Sequence, residues 1–162
     1  MSEDLTLELQ PRWEYVADSV MGGLSEGQAG KTEVQGRPAM RLTGEVSTRN
    51  NGGFIQMAFD LKPDGSAFDA SSWRGIAFEL SGNGEEYDIR LRTDQLERPW
   101  QSFRTSVTVN PAWSTIRIDF GEFAAHRTSA VFDPAQLRRI GVLAIGREFT
   151  ADVAVAGIYF YR

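Results

Sequence analysis

The sequence predicts an all-β chain folded as an antiparallel β-sandwich of jelly-roll type, and three observations carry that prediction. Apolar and polar residues alternate with period two in successive runs from residue 38 to the C-terminus, the pattern of strands that bury one face. Turn-forming residues separate these runs at short, regular spacing. No long helical stretch intervenes that could serve as the crossover of a parallel sheet.

Met40 and Leu42, set against Arg41 and Thr43, mark the first run. Ile55, Met57, Phe59 and Leu61 alternate with Gln56, Ala58 and Asp60, and Ile76, Phe78 and Leu80 with Ala77 and Glu79. Tyr87, Ile89 and Leu91 oppose Asp88, Arg90 and Arg92; Phe103, Thr105, Val107 and Val109 follow; Ile116, Ile118 and Phe120 oppose Arg117 and Asp119. Gly141 to Ile145 and Val153 to Tyr161 close the series. The breaks fall at Asn50-Asn51-Gly52-Gly53, Pro63-Asp64-Gly65, Gly82-Asn83-Gly84, Arg98-Pro99 and Asn110-Pro111, all of them turn chemistry. Only residues 133–139 read as helical, with Asp133 as N-cap and Pro134 at the first helical position, enough for a turn or two. With one face of each strand packed inward, the other carries Gln56, Glu79, Asp88, Arg90, Arg92, Arg117 and Asp119 to water or to a partner. The sequence shows no repeat, linker or low-complexity tract, so residues 1–162 are expected to form one domain.

Composition narrows the chemistry. The 162 residues include no Cys and one His, which removes thiol nucleophiles and cysteine-ligated metal, and leaves one candidate base for a Ser/His hydrolase. A net charge of −5 repels a polyphosphate backbone, so no nucleic-acid partner is expected. The first five residues are acidic where a targeting peptide would be basic, and no apolar run approaches the ~20 residues that span a bilayer. A cytoplasmic location without membrane insertion is the expectation.

Short matches to catalytic motifs fail on context. Gly23-Leu24-Ser25-Glu26-Gly27 fits G-x-S-x-G, with His126 downstream, but that elbow needs a strand feeding a helix. A glycine-rich turn over Gly27 to Gly30 is expected instead. Gly30-Lys31-Thr32 ends like a phosphate-binding loop, yet Ser25 stands where its first glycine belongs. The acidic groups Asp60, Asp64 and Asp69, and Glu85, Glu86 and Asp88, match no calcium-loop spacing. Glu79 and Asp119 could form a glycosidase pair only at a suitable separation. Of Trp13, Trp73, Trp100 and Trp113, Trp100, beside Pro99 and Gln101, is the foremost candidate for an exposed stacking platform.

Trp13, Asp18-Ser19-Val20-Met21-Gly22-Gly23 and Ser25 resemble the opening signature of the complex I intermediate-associated protein 30 family. Further matches follow in that family's order: Gly44, Asn51-Gly52-Gly53-Phe54, Gly75 through Gly84, Tyr87 to Arg92, and Ile158-Tyr159-Phe160. One departure is Gly82-Asn83-Gly84, where the family carries an acid between the glycines. The resemblance implies a galactose-binding-domain-like jelly roll and, from the mitochondrial members, a role in assembling respiratory complex I. Physically, glycines in both signature loops permit tight turns and close backbone approach, and Asp18 can accept from backbone N–H groups there. These loops are either structural devices at one end of the sandwich or a binding site.

The expected function is therefore a non-enzymatic binding domain that recognises a protein partner during assembly of a respiratory or other redox complex. Its candidate residues are Asp18, Met21, Gly22, Gly23, Ser25, Asn51, Gly52 and Gly53 in the signature loops, and Asp88, Arg90, Arg92 and Trp100 on the sheet face. Such a partner site calls for an exposed apolar patch of several hundred Å². The alternative is a carbohydrate-binding module that uses the same sheet face as a groove, with Trp100 stacking on sugar rings. No catalytic residue, cofactor or metal is expected.

Overall fold

The computed structural model describes residues 6–18, 23–49 and 53–162. Twelve strands run in chain order: β1 (Thr6–Glu8), β2 (Glu14–Ala17), β3 (Glu26–Val34), β4 (Arg37–Val46), β5 (Phe54–Asp60), β6 (Gly75–Ser81), β7 (Glu86–Thr93), β8 (Ser102–Thr108), β9 (Ser114–Asp119), β10 (Ala124–His126), β11 (Leu137–Ile145) and β12 (Phe149–Tyr161). They form two antiparallel sheets. The first has the order β3-β4-β12-β6-β9, with β1 also on β12, and the second the order β10-β8-β7-β11-β5-β2.

The alternation read from the sequence is what joins the sheets. Leu42, Ile76, Phe78, Leu80, Val153 and Phe160 of the first sheet meet Ile55, Met57, Phe59, Ile89, Leu91, Phe103 and Val142 of the second in one buried cluster. Each such side chain contributes about 1.5–3 kcal/mol by leaving water. The jelly-roll sandwich expected from the sequence is the fold observed. Among the described residues no helix is long and apolar enough to cross a membrane.

Two local expectations are corrected. The glycine-rich turn expected over Gly27 to Gly30 is the middle of β3, a nine-residue edge strand whose residues are nearly all exposed. It gains backbone hydrogen bonds from β4 alone and buries almost no side chain, so period-two alternation has no cause there. Gly27 lies opposite Gly44, and a β-carbon on Gly44 would come within 2.2 Å of the Glu26 carbonyl oxygen, so the two backbones could not approach this closely with larger residues. The helical stretch is shorter than expected: Pro134–Gln136 makes one 3-10 turn, capped by Asp133 accepting from the Ala135 N–H, and residues 137–139 already belong to β11.

Candidate functional site

On the outward face of the second sheet lies a groove of about 1270 Å³. Its floor follows from strand register. Arg104 of β8, Arg90 of β7, Gly141 of β11 and Ala58 of β5 stand in one transverse row. The next row runs Ser106, Asp88, Leu143, Gln56 and Val16. A glycine and an alanine in mid-sheet leave a trough, and the long side chains of β7 and β8 form one wall. A smaller cavity of about 580 Å³ lies between the β1–β2 segment and strands β3, β4 and β12, without a comparable set of convergent charges.

The β7–β8 wall is held by one carboxylate. Arg90 and Arg104 are direct cross-strand neighbours, an arrangement in which like charges repel. Asp88, 5% exposed, resolves this by accepting from both guanidiniums, at 3.0–3.1 Å from Arg90 and 2.8 Å through both oxygens from Arg104. That pairing raises the Arg104 pKa, hydrogen bonding to Asp88 outweighing desolvation. His126, paired across from Ser102, also lines the groove. Burial first, then the charges of Arg90, Arg127 and Arg104, hold its imidazole below the ordinary pKa, with Asp88 pulling the other way.

Trp100 sits at the rim on a loop fixed from two sides. Below it, Nη1 of Arg92 donates to the carbonyls of Arg98 at 3.0 Å, Pro99 at 3.2 Å and Gln101. The Gln101 side chain accepts from the amides of Glu97 and Arg98, both at 3.0 Å, and donates to the carbonyl of Arg127 at 3.2 Å. The indole is 56% exposed. The Arg98 guanidinium lies 5.9 Å from its ring centroid; the other three tryptophans pack into the fold, Trp13 edge-on against Phe59, Trp73 stacked on Phe160, and Trp113 donating to the Val34 carbonyl.

The signature residues are elsewhere. Asp18, fully buried, accepts from the Ser25 amide at 3.1 Å and hydroxyl at 2.5 Å, and from the amides of Gly53 at 2.6 Å and Phe54 at 3.2 Å. Ser25 Oγ in turn accepts from the Ser47 amide at 2.8 Å. Burial alone would raise the Asp18 pKa, but these bonds together hold it below the ordinary carboxylate value. Gly23 is required here because a β-carbon would lie 2.4 Å from the Asp18 carboxyl carbon. Asp18, Gly23, Ser25 and Gly53 thus tie together the chain before β3, the end of β4 and the start of β5. Met21, Gly22, Asn51 and Gly52 lie outside the described residues.

Asp88, Arg90, Arg92 and Trp100 all line the groove, together with Arg104, Ser102, His126, Arg127 and Arg139. Sequence reasoning could have found Arg104, since Phe103, Thr105 and Val107 already placed it on the outward face of β8. Arg139 was hidden by its assignment to the short helical stretch. The glycosidase pair does not form: Glu79 and Asp119 sit at opposite ends of the β6–β9 ladder, held by Arg37 and by Arg74 respectively. Ser25 directly precedes strand β3 and bonds Asp18, which is not a nucleophile elbow. Among the described residues no group of three or more acids or histidines could hold a metal ion.

Asn83, where the family signature carries an acid, accepts from the Tyr87 hydroxyl at 2.6 Å and donates to the Thr150 carbonyl at 2.9 Å. An ionised carboxylate in its place could accept but not donate. The Tyr87 hydroxyl, accepting also from the Asp152 amide, is pushed up to about 12 by burial.

No curated protein matches the chain at a significant level. Solved structures with the same fold include the family 11 carbohydrate-binding module of Clostridium thermocellum, in complex with a β-1,3-1,4-mixed-linked tetrasaccharide. It is 17% identical with a TM-score of 0.76, over 96% of this chain and 94% of that one. The family 30 carbohydrate-binding module of cellulase Cel9D-Cel44B from the same organism is 18% identical with a TM-score of 0.66, over 96% of each chain. The agarase AgWH50C is 9% identical with a TM-score of 0.67, covering 96% of this chain and 24% of that one. The sequence profile of complex I intermediate-associated protein 30 (CIA30) matches residues 5–152, nearly the whole chain, and on that match the protein belongs to the CIA30 family.

Proposed function

We propose that the protein is a non-catalytic glycan-binding domain whose site is the groove on the second sheet. The observation that carries this reading is Trp100, an exposed indole held at the rim by Arg92 and Gln101 over a polar trough. A planar ring stacks on the apolar face of a sugar, and polar groups along the trough bond its hydroxyls. Fixing the platform in advance reduces the ordering cost of binding. Structures of this fold that bind carbohydrate support the reading.

A second reading, recognition of a protein during assembly of a respiratory complex, is favoured by the family match. Among the described residues the large exposed apolar side chains such a partner could use are Leu7, Tyr15, Leu24, Trp100 and Val131, and a protein hot spot needs such anchors packed side by side. Affinity electrophoresis through gels containing soluble polysaccharides tests the first reading. At least one polysaccharide retards the protein, and Trp100→Ala weakens its binding about tenfold or more, with unchanged thermal stability. Unretarded migration in every gel, with a specific protein captured at physiological salt, would decide for the second.

A further inference from the structure

The groove's charge is opposite to that of the molecule. The chain carries −5 overall, but the central part of the groove is lined by Arg90, Arg92, Arg104 and Arg127 against only Asp88 and Glu86. Asp88 is shared by Arg90 and Arg104. Arg92 spends its bonds on neutral carbonyls, and neither it nor Arg127 has a carboxylate partner among the described residues. The other two groove arginines are neutralised: Arg139 pairs with Asp60 and Arg147 with Glu85. The excess therefore rests on Arg90, Arg92, Arg104 and Arg127.

Two further observations bear on what belongs there. His126 lines the same groove, and its pKa is lowered first by burial and then by the charges of Arg90, Arg127 and Arg104, with Asp88 opposing. Ser102 lines the groove and is 4% exposed, yet its Oγ has no hydrogen-bond partner. Leaving a buried hydroxyl unpaired is costly, and a shift of the side chains that cover it on binding would let an anionic ligand oxygen, drawn in by the neighbouring guanidiniums, supply the missing acceptor. Guanidiniums recognise carboxylate and sulfate oxygens through paired N–H donors.

We propose that the groove selects an acidic polysaccharide, one whose sugar rings carry carboxylate or sulfate groups, with a ring stacked on Trp100 and its acidic groups bonded by the central arginines. The proposal rests on the glycan-binding reading above and adds to it the charge of the glycan. A uronate chain and a sulfated chain present the same anionic chemistry.

Isothermal titration of the full chain compares oligogalacturonate, a sulfated oligosaccharide and a neutral mixed-linked β-glucan oligosaccharide of matched length, with polyglutamate and oligothymidylate as other polyanions. At least one acidic glycan binds about tenfold or more tighter than the neutral one, and that advantage is lost as sodium chloride rises from about 50 to about 500 mM. Arg104→Gln and Arg127→Gln each weaken the acidic glycan about threefold to tenfold more than they weaken the neutral one, and melt within a few degrees of the parent. Equal, salt-independent binding of the neutral glucan overturns the charge selection and leaves the glycan reading standing. Absence of binding to all three glycans defeats the glycan reading and this proposal together. Polyglutamate or oligothymidylate binding as tightly as the acidic glycans overturns the proposal in favour of an acidic peptide or a nucleic acid.

Discussion

The Asp18 clasp and the β7–β8 groove are both polar clusters built around one buried carboxylate, and they differ in what their polar groups still lack. Around Asp18 the account closes internally: four donors reach one fully buried carboxylate. In the groove, Asp88 satisfies Arg90 and Arg104, while Arg92 and Arg127 have no carboxylate partner and the Ser102 hydroxyl has none of any kind among the described residues. Saturated, buried polar networks fix a structure; an exposed cluster with unspent charge is arranged for something outside the chain. The signature residues Asp18, Gly23, Ser25 and Gly53 thus fasten the fold, whereas the groove is assembled from several strands, of which only the Tyr87 to Arg92 stretch belongs to a family match.

The largest effect expected of that difference is on stability. Asp18→Ala strands the amides of Ser25, Gly53 and Phe54 without their acceptor, and should cost roughly 4 kcal/mol in denaturant unfolding, at the upper end of single substitutions. The pH dependence has a definite sign. Because the folded pKa of Asp18 is depressed, its contribution is fully present above the unfolded value, near 4, and is lost as pH falls through the folded one. The stability gap between the parent and Asp18→Asn should therefore be constant near neutrality and shrink below about pH 4. A gap that persists unchanged into strong acid would mean that the ionised carboxylate is not what holds the three segments.

That contrast also explains how much the sequence discloses. Strands β5, β7 and β9 turn their apolar positions to the core and their polar ones outward, so burial writes period-two alternation into them; β6 is buried on both faces, and its alternation is of large with small or polar residues. Strand β3 is nearly all exposed; it is held by backbone bonds and by the Gly27–Gly44 approach, which leave no apolar rhythm. The outward positions of β7 could be read from the same alternation, which put Asp88, Arg90 and Arg92 on one face. What the sequence does not disclose is the pairing of strands distant along the chain. Arg90 and Arg104 become neighbours only through the β7–β8 register, and Gly141 and Ala58 make a trough only because β11 lies between β7 and β5.

A smaller effect, mixed in direction, is expected of Asp88→Asn. Removing the shared carboxylate leaves Arg90 and Arg104 facing each other with no counter-charge, and should lower stability by about 2 kcal/mol. An Asp88 that served only to hold the sheet would lose ligand binding in proportion. If the groove reads anions, the same substitution removes a repelling charge, so an acidic glycan should bind at least as tightly as before while the unfolding midpoint falls. Loss of stability accompanied by loss of acidic-glycan affinity would place Asp88 in direct contact with ligand hydroxyls and weaken the electrostatic reading.

The finest test uses the chain's single histidine. His126 lies in the groove, and the charged groups that act on it are Arg90, Arg104 and Arg127 on one side of the balance and Asp88 on the other. Its imidazole should titrate by NMR below the ordinary value of about 6.5, and lower still in Asp88→Asn. An acidic glycan seated on the same arginines supplies the opposite charge and should raise that pKa, whereas a neutral glycan changes solvation but adds no charge. Because the clasp residues play no part in this balance, Ser25→Ala should leave the His126 titration where it was, even as it loosens the corner around Asp18. A His126 pKa that followed the clasp and ignored the ligand would dissolve the distinction between the two clusters.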